Sequence, residues 1–334
     1  MNEELSTCFI IGVSPRSGTN YLFNLLSRHP QCVAGSFGEV ALLRHSALLV
    51  DYAERVVTTW TDSWVENGIV SVDGLLAKLG NGLAQFLASS TAASAPTVIP
   101  PEDSARKKVL LTKTPDVRGL QNFSRLFPEN SRAILLVRDG RGVVESGVRS
   151  FAWAYEHAMQ QWAAAADTFL DVTSGCDGAS SPFLLVRYED LVNDQAAELR
   201  RILVFFGLDP EAYDFVSAQS IGVIGSSELR AGGELMHWRE IEKPASFDPL
   251  RRFDDWPQKR RARFAWVAGK QMRALGYPLD TNQPTGWFSW LWHHVLDLKW
   301  RSGQRALSIA RPLLWRLLVD IRRNQRQRRQ NGQV

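Results

Sequence analysis

The sequence predicts an α/β protein of three layers, a central parallel sheet flanked by helices, followed by an amphipathic helical tail. Three observations carry this reading. Apolar runs of strand length recur along the chain at residues 8–13 (CFIIGV), 108–115 (KVLLTKTP), 131–140 (SRAILLVRDG) and 182–191 (PFLLVRYEDL). They are continuous rather than alternating, as in strands buried on both faces. Segments with helical spacing separate them.

The elements follow in order. After the first strand, residues 18–28 place Leu22, Leu25 and Leu26 on one helical face. Residues 39–60 and 71–88 read as helices punctuated by Gly68 and Gly74. Residues 89–107, rich in Ser, Ala and Pro, read as a surface loop. The strand 108–115 contains Lys113 near its end, and the strand 131–140 contains Arg138. A helix starts near Gly142, and another spans 153–172. The chain turns helical again after Asp190 as far as Phe206-Gly207. Residues 219–256 read as irregular, and 257–275 as a helix ending at Gly276-Tyr277-Pro278. The domain division expected is 1–280 for the α/β body and 281–334 for the tail.

Composition narrows the function classes. A hydrophobic content of 45% with 22% charged residues suits a globular protein with a large core. Cys8, Cys32 and Cys176 are too few and too scattered for a disulfide framework or a zinc site. With no signal segment at the start, a reducing, cytoplasmic setting is expected. The net charge of +4 is uneven. From Lys299 onward there are ten Lys/Arg and one acid, net +9, which leaves −5 for residues 1–298. The sequence pI of about 9.0 therefore comes from the tail, and nucleic-acid binding by the main body is not expected.

The first strand runs into Ser14, Arg16, Ser17, Gly18, Thr19 and Asn20 before its helix. A glycine turn leading to a helix N-terminus points successive backbone amides at one anion. This is a P-loop-like arrangement, but the nucleotide-triphosphate pattern G-x-x-x-x-G-K-[ST] is absent. The interval from Gly12 to Gly18 is one residue too long, and Thr19 stands in the lysine position. Arg16 supplies the cation instead, two residues before Gly18. Taken alone, the stretch also fits a plain strand-to-helix turn capped by Ser17 or Thr19. A second candidate is Arg138 at a strand tip with Ser146 on the next helix, where an arginine and a hydroxyl can converge on one phosphate. An ion pair of Arg138 with Asp139 or Glu145 is the plainer alternative there.

Two motifs make the resemblance specific. P-R-S-G-T-N after an apolar strand, followed by His29-Pro30, resembles the 5′-phosphosulfate loop of sulfotransferases. R-D-x-R-x-x-x-x-S at 138–146 resembles their 3′-phosphate motif. The tyrosylprotein, carbohydrate and bacterial branches match best, over residues 8–278. The resemblance implies the donor 3′-phosphoadenosine 5′-phosphosulfate (PAPS) and no metal. It implies that Arg16, Ser17, Gly18, Thr19 and Asn20 hold the 5′-phosphate end, and Arg138 and Ser146 the 3′-phosphate. Arg230 and Gly232 in LRAGGELMHWRE resemble a segment that closes over the donor, and Gly225-Ser226-Ser227 is a further contacting turn.

The chemistry needs a cation for the leaving phosphate and a base for an acceptor hydroxyl. Lys113 matches the family's K-x-P position and is expected to stabilise the transferring group. Glu39 is the candidate base, with two or three more residues after His29-Pro30 than in relatives, and a helix N-cap role is its plainer alternative. His29 competes as an imidazole base, and His45 and His157 stand behind it. Glu189 and Asp190 read as helix caps. A P-loop kinase or NTPase is the second function class, weakened because Arg138 sits where a carboxylate would hold Mg²⁺. An inactive, membrane-associated scaffold is the third.

The tail pattern brings Trp287, Trp290, Leu291, His294 and Leu298 to one helical face, and Leu314, Leu317, Leu318 and Ile321 to another. Such basic amphipathic helices suit a membrane surface, peripheral attachment, or docking on the enzyme or on a second subunit in a homo-oligomer. Residues 322–334 read as disordered. The acceptor expected is a hydroxyl on a carbohydrate, lipid or tyrosine.

Overall fold

β1 (Ser6–Gly12) is the axis of the sheet, and all seven of its residues are buried. The computed structural model describes residues 6–35, 37–60, 71–91, 109–128, 131–174, 181–222, 240–242, 247–279 and 286–306. β1 pairs in parallel with β3 (Val109–Thr114) on one side and β4 (Ser131–Val137) on the other. β2 (Cys32–Ala34) and β5 (Phe183–Arg187) form the edges, giving the order β2-β3-β1-β4-β5. From β1 the chain crosses to the edge strand β2, returns to β3 beside β1, then passes over to β4 and outward to β5. The carboxyl end of β1 is the topological switch point, where open α/β sheets bind ligands.

Both faces of the sheet are covered, as continuous apolar strands require. On one face Cys8 and Ile10 of β1 share a cluster with Leu22, Leu25 and Leu26 of α1 (Thr19–Leu26) and with Leu199, Ile202 and Leu203 of α8 (Gln195–Phe206). On the other face Phe9 meets Phe123 and Phe127 with ring centroids 5.3 and 4.9 Å apart. The remaining helices of the body are α2 (Ser46–Thr59), α3 (Val72–Thr91), α4 (Phe123–Leu126), α5 (Gly140–Phe151), α6 (Tyr155–Thr173), α7 (Tyr188–Asn193), α9 (Phe215–Gln219) and α10 (Gln258–Ala274).

Three boundaries differ from the sequence reading. Residues 39–45 are not α-helical: Gly35 and Val40 donate backbone hydrogen bonds to Leu111 and Lys113 of β3, and α2 begins only at Ser46. The β5 strand stops at Arg187 rather than continuing to Leu191. The Asp139 N–H beyond the last β4–β5 pair is taken by the Glu189 carboxylate at 2.9 Å, and the chain turns into α7. α3 runs through to Thr91, into the stretch read as loop.

The chain divides into two units, Met1–Pro257 with Val267–Leu279, and Gln258–Trp266 with Asp280–Val334. The first holds the sheet. In the second, a helix over residues 287–306, α11, is held by the first half of α10. Arg263 Nη2 donates to Asp297 at 2.7 Å, Trp266 Nε1 donates to the same carboxylate at 3.0 Å, and Trp266 stacks on His293. Burial opposes the Asp297 charge, but these two hydrogen bonds outweigh it and hold the carboxyl below its ordinary pKa.

A glycine in a helix normally costs about 1 kcal/mol relative to alanine. Gly80 in α3 reverses that sign, because a Cβ there would collide with the Leu126 carbonyl oxygen of α4. Gly80→Ala is expected to lower the urea midpoint rather than raise it, by the equivalent of about 1–3 kcal/mol. Equilibrium unfolding of the two proteins checks this.

Candidate active site

The loop between β1 and α1 is shaped by its own hydroxyl bonds. Ser17 Oγ donates to Ser14 O at 2.7 Å and accepts from Ser14 N–H at 3.2 Å. Ser17 is fully buried, so its hydroxyl closes the loop rather than facing a ligand. Arg16 takes a positive φ of 77° and Gly18 one of 99°. A non-glycine residue in that region is uncommon and stores strain, which clusters at ligand clamps. Gly18 is also required sterically, since a Cβ would strike the Tyr188 ring. α1 then starts at Thr19 with no side-chain cap. Its first-turn amides have no intrahelical acceptor and add the positive end of the helix dipole.

The loop opens on a cavity of about 380 Å³ whose wall includes Arg16, Thr19, Asn20, Glu39, Arg138 and Arg252. Its cations sit close together. Arg16 Nε and Arg252 Nη1 each donate to Ser146 Oγ at 3.0 Å. Arg138 donates to the backbone carbonyls of Arg16 and Pro249, and its guanidinium lies 4.4 Å from the Tyr188 ring centroid. Among the described residues no carboxylate pairs with Arg138. Asp139 instead pairs with Arg141 at 2.7 Å and caps α5, while Glu145 takes Arg149, Tyr155 and Trp256. Burial, then the charges of Arg252 and Arg138, pull the Arg16 pKa down to about 10. Crowded guanidinium groups of this kind are relieved by an anion.

The candidate chemical groups lie beside Asn20 of the cradle. Lys113 Nζ donates to Asn20 Oδ1 at 2.6 Å. Burial lowers its pKa, and the charge of Glu39 partly offsets this. The backbone bond from Val40 N–H to Lys113 O, 2.8 Å, places Glu39 one residue from this pairing. Glu39 is exposed on the cavity wall.

The structure thus gathers Arg16, Gly18, Thr19, Asn20, Glu39, Lys113, Arg138 and Ser146 around one site, with Ser146 buried behind the guanidinium groups. It does not bring His29 there. His29 is 1% exposed, accepts Gln31 N–H on Nδ1 at 3.1 Å, and has Nε2 3.0 Å from Asp209 O. A backbone N–H only donates, so Nδ1 is bare and Nε2–H donates to the carbonyl. Both ring nitrogens are committed to joining two loops. Glu189 is likewise not a helix cap: its carboxylate takes the Asp139 amide and the Tyr277 hydroxyl, 2.9 and 2.8 Å, and so fixes the turn after β4. Arg230, Gly232 and Gly225-Ser226-Ser227 lie outside the described residues. Sequence reasoning missed Arg252, which lies in a stretch without periodicity, and Tyr188, which was assigned to a strand.

A glycine-turn cradle at the switch point thus lies beside a cluster of guanidinium groups, an arrangement suited to anions. Residues 8–212, more than half of the chain, match the model of the Sulfotransferase family. The chain belongs to that family and is a sulfuryl-transferring enzyme. Protein-tyrosine sulfotransferase A of Caenorhabditis elegans is 24% identical over 291 residues, covering 84% of this chain and 69% of that protein. Two solved structures are similar. The sulfotransferase domain of the Synechococcus PCC 7002 olefin synthase is 23% identical, with a TM-score of 0.47, over 84% of this chain and 98% of that one. The sulfotransferase domain from the curacin biosynthetic pathway is 18% identical, with a TM-score of 0.47, over 84% and 100%.

Arg252→Ala and Ser146→Ala should each weaken binding of a bisphosphorylated nucleotide on the order of tenfold to a hundredfold, the range for hydrogen bonds involving a charged group. Titration calorimetry with adenosine 3′,5′-bisphosphate measures it; wild-type affinity in either variant would separate the guanidinium cluster from ligand binding.

Proposed function

We propose that the chain moves a sulfuryl group from PAPS to an acceptor hydroxyl, with the residues of this cavity in the following roles. The single observation that carries the reading is the clustering of three guanidinium groups next to the β1–α1 cradle, Arg16 and Arg252 on Ser146 and Arg138 on the Arg16 carbonyl. A nucleoside triphosphate needs one phosphate cradle, whereas a 3′,5′-bisphosphorylated nucleoside needs two anion sites. The residues fit that donor: Gly18 leaves the cradle open, and guanidinium groups beside a buried hydroxyl form a second site. The bound donor supplies a sulfuryl group attached to a phosphate leaving group.

The first-turn amides of α1 and the side chains of Thr19 and Asn20 hold the 5′ end, with Ser17 keeping the loop closed. Arg138 and Arg252 hold the 3′-phosphate, with Ser146 as the acceptor that Arg252 shares with Arg16. Lys113 sets a cation beside the cradle, where charge develops on the leaving oxygen. Glu39, on the wall next to it, takes the acceptor proton. Arg138 at the β4 tip repels a divalent cation, so the leaving charge falls to these side chains. The domain 1–280 is the catalytic body in this reading, and 281–334 lies outside the chemistry. A phenolic hydroxyl is the first acceptor to test, because the curated relative is named a protein-tyrosine sulfotransferase.

Adenosine 3′,5′-bisphosphate is expected to bind equally well with and without EDTA. Binding of ATP-Mg²⁺ alone would replace this reading with the kinase class. Lys113→Ala should keep bisphosphate affinity within about threefold and reduce turnover about 10²- to 10³-fold.

Glu39→Gln should reduce turnover about 10²- to 10⁴-fold. It should also move the alkaline limb of the pH–rate profile. The Lys113 pKa already lies below its ordinary value, and Glu39 is the charge that props it up. Removing that charge lowers it further, so the cation is lost at lower pH and the limb shifts toward neutrality. An unshifted limb would separate the two residues.

A further inference from the structure

We infer that α11 is a docking element for an anionic phospholipid surface. One side of this helix is committed to protein. His293, Asp297 and Trp300 recur at helical spacing; His293 is buried, and Asp297 is bonded to Arg263 and Trp266. The other side is exposed. At about 100° per residue, Trp287, Leu298, Leu291, Val295, Phe288 and Trp292 fall within an arc of roughly 140°. All six are exposed, Trp287 at 66%, Trp292 at 62% and Leu298 at 65%. This arc differs from the face expected from sequence, since His294 is half-buried and Val295, Phe288 and Trp292 join instead.

The charges on the arc choose the occupant. Lys299 and Arg305 lie on it, toward the helix C-terminus, and both are exposed. The only acid of residues 287–306 is Asp297, which faces away into its bonds with α10. A second copy of the chain laid against this arc would set like charges together with no acid to meet them. An anionic lipid surface meets both properties: aromatic rings settle at the headgroup level, and long basic side chains reach the phosphates. Lys299 and Arg305 belong to a sequence segment, Lys299 to Val334, whose net charge of +9 strengthens the attraction. Among the described residues no helix is long and apolar enough to cross a membrane, so the contact is one of lying on the surface.

Flotation of the full chain with vesicles tests this. Vesicles of phosphatidylcholine containing about one-third phosphatidylserine should carry the protein, and phosphatidylcholine alone should carry far less. Trp287→Ser/Leu291→Ser/Trp292→Ser should cut partitioning at least about tenfold. Lys299→Ala/Arg305→Ala should cut it on the order of tenfold as well, at about fivefold per charge before screening. All five positions are exposed, and circular dichroism with bisphosphate calorimetry verifies that each variant is folded and binds as the parent does. No flotation with anionic vesicles, or undiminished flotation of the triple variant, overturns the proposal. A dimer in lipid-free sedimentation that the triple variant abolishes also overturns it, and assigns the arc to a second copy.

Discussion

Two guanidinium groups donate to one buried hydroxyl, Ser146, and a third reaches the carbonyl of one of the two arginines. That crowding of like charge is the constraint on which the rest of the site depends. It is unfavourable by itself: burial first, then the charges of Arg252 and Arg138, depress the Arg16 pKa, and the hydroxyl, two backbone carbonyls and the faces of Phe151 and Tyr188 share the load. A protein gains from maintaining such a cluster when an anion completes it. Three carboxylates on the neighbouring segments are committed elsewhere: Asp139 to Arg141, Glu145 to Arg149, and Glu189 to the turn after β4.

The sheet makes the crowding possible. Because β1 lies between β3 and β4, the loop leaving it is bracketed by the tips of two neighbours a strand spacing away on either side. Lys113 comes from one and Arg138 from the other. The continuous apolar character of the strands serves this arrangement directly. It buries both faces of the sheet, fixes the parallel register, and so fixes where each polar tip emerges.

Much of this was legible in the chain. The CFIIGV run, the glycine turn and the Leu22–Leu25–Leu26 face specify β1, the loop and α1 through local preferences alone. Arg138 and Ser146 were legible because they share one short strand-to-helix segment. Arg252 was not, since its place depends on a contact 106 residues away and its own stretch has no period. His29 shows the converse. Its imidazole made it a competing base, but only the tertiary structure reveals that a backbone N–H and a carbonyl claim its two nitrogens. The β5 boundary failed for a similar reason: no glycine or proline marks a break after Arg187, and only the tertiary structure reveals that Glu189 reaches across to the Asp139 amide at the end of β4 while its own segment turns into α7.

The spread of the site along the chain affects how the protein matures. Ser146 is joined to a residue 130 positions before it and to one 106 positions after it. Closing such long loops is entropically slow, so long-range pairing of this kind forms late relative to local helices. A nascent chain that has not yet extended past Arg252 can lay down β1 through β5, yet it lacks the third guanidinium group. The competence to hold a doubly anionic ligand therefore arrives near the end of folding, after the scaffold that carries it.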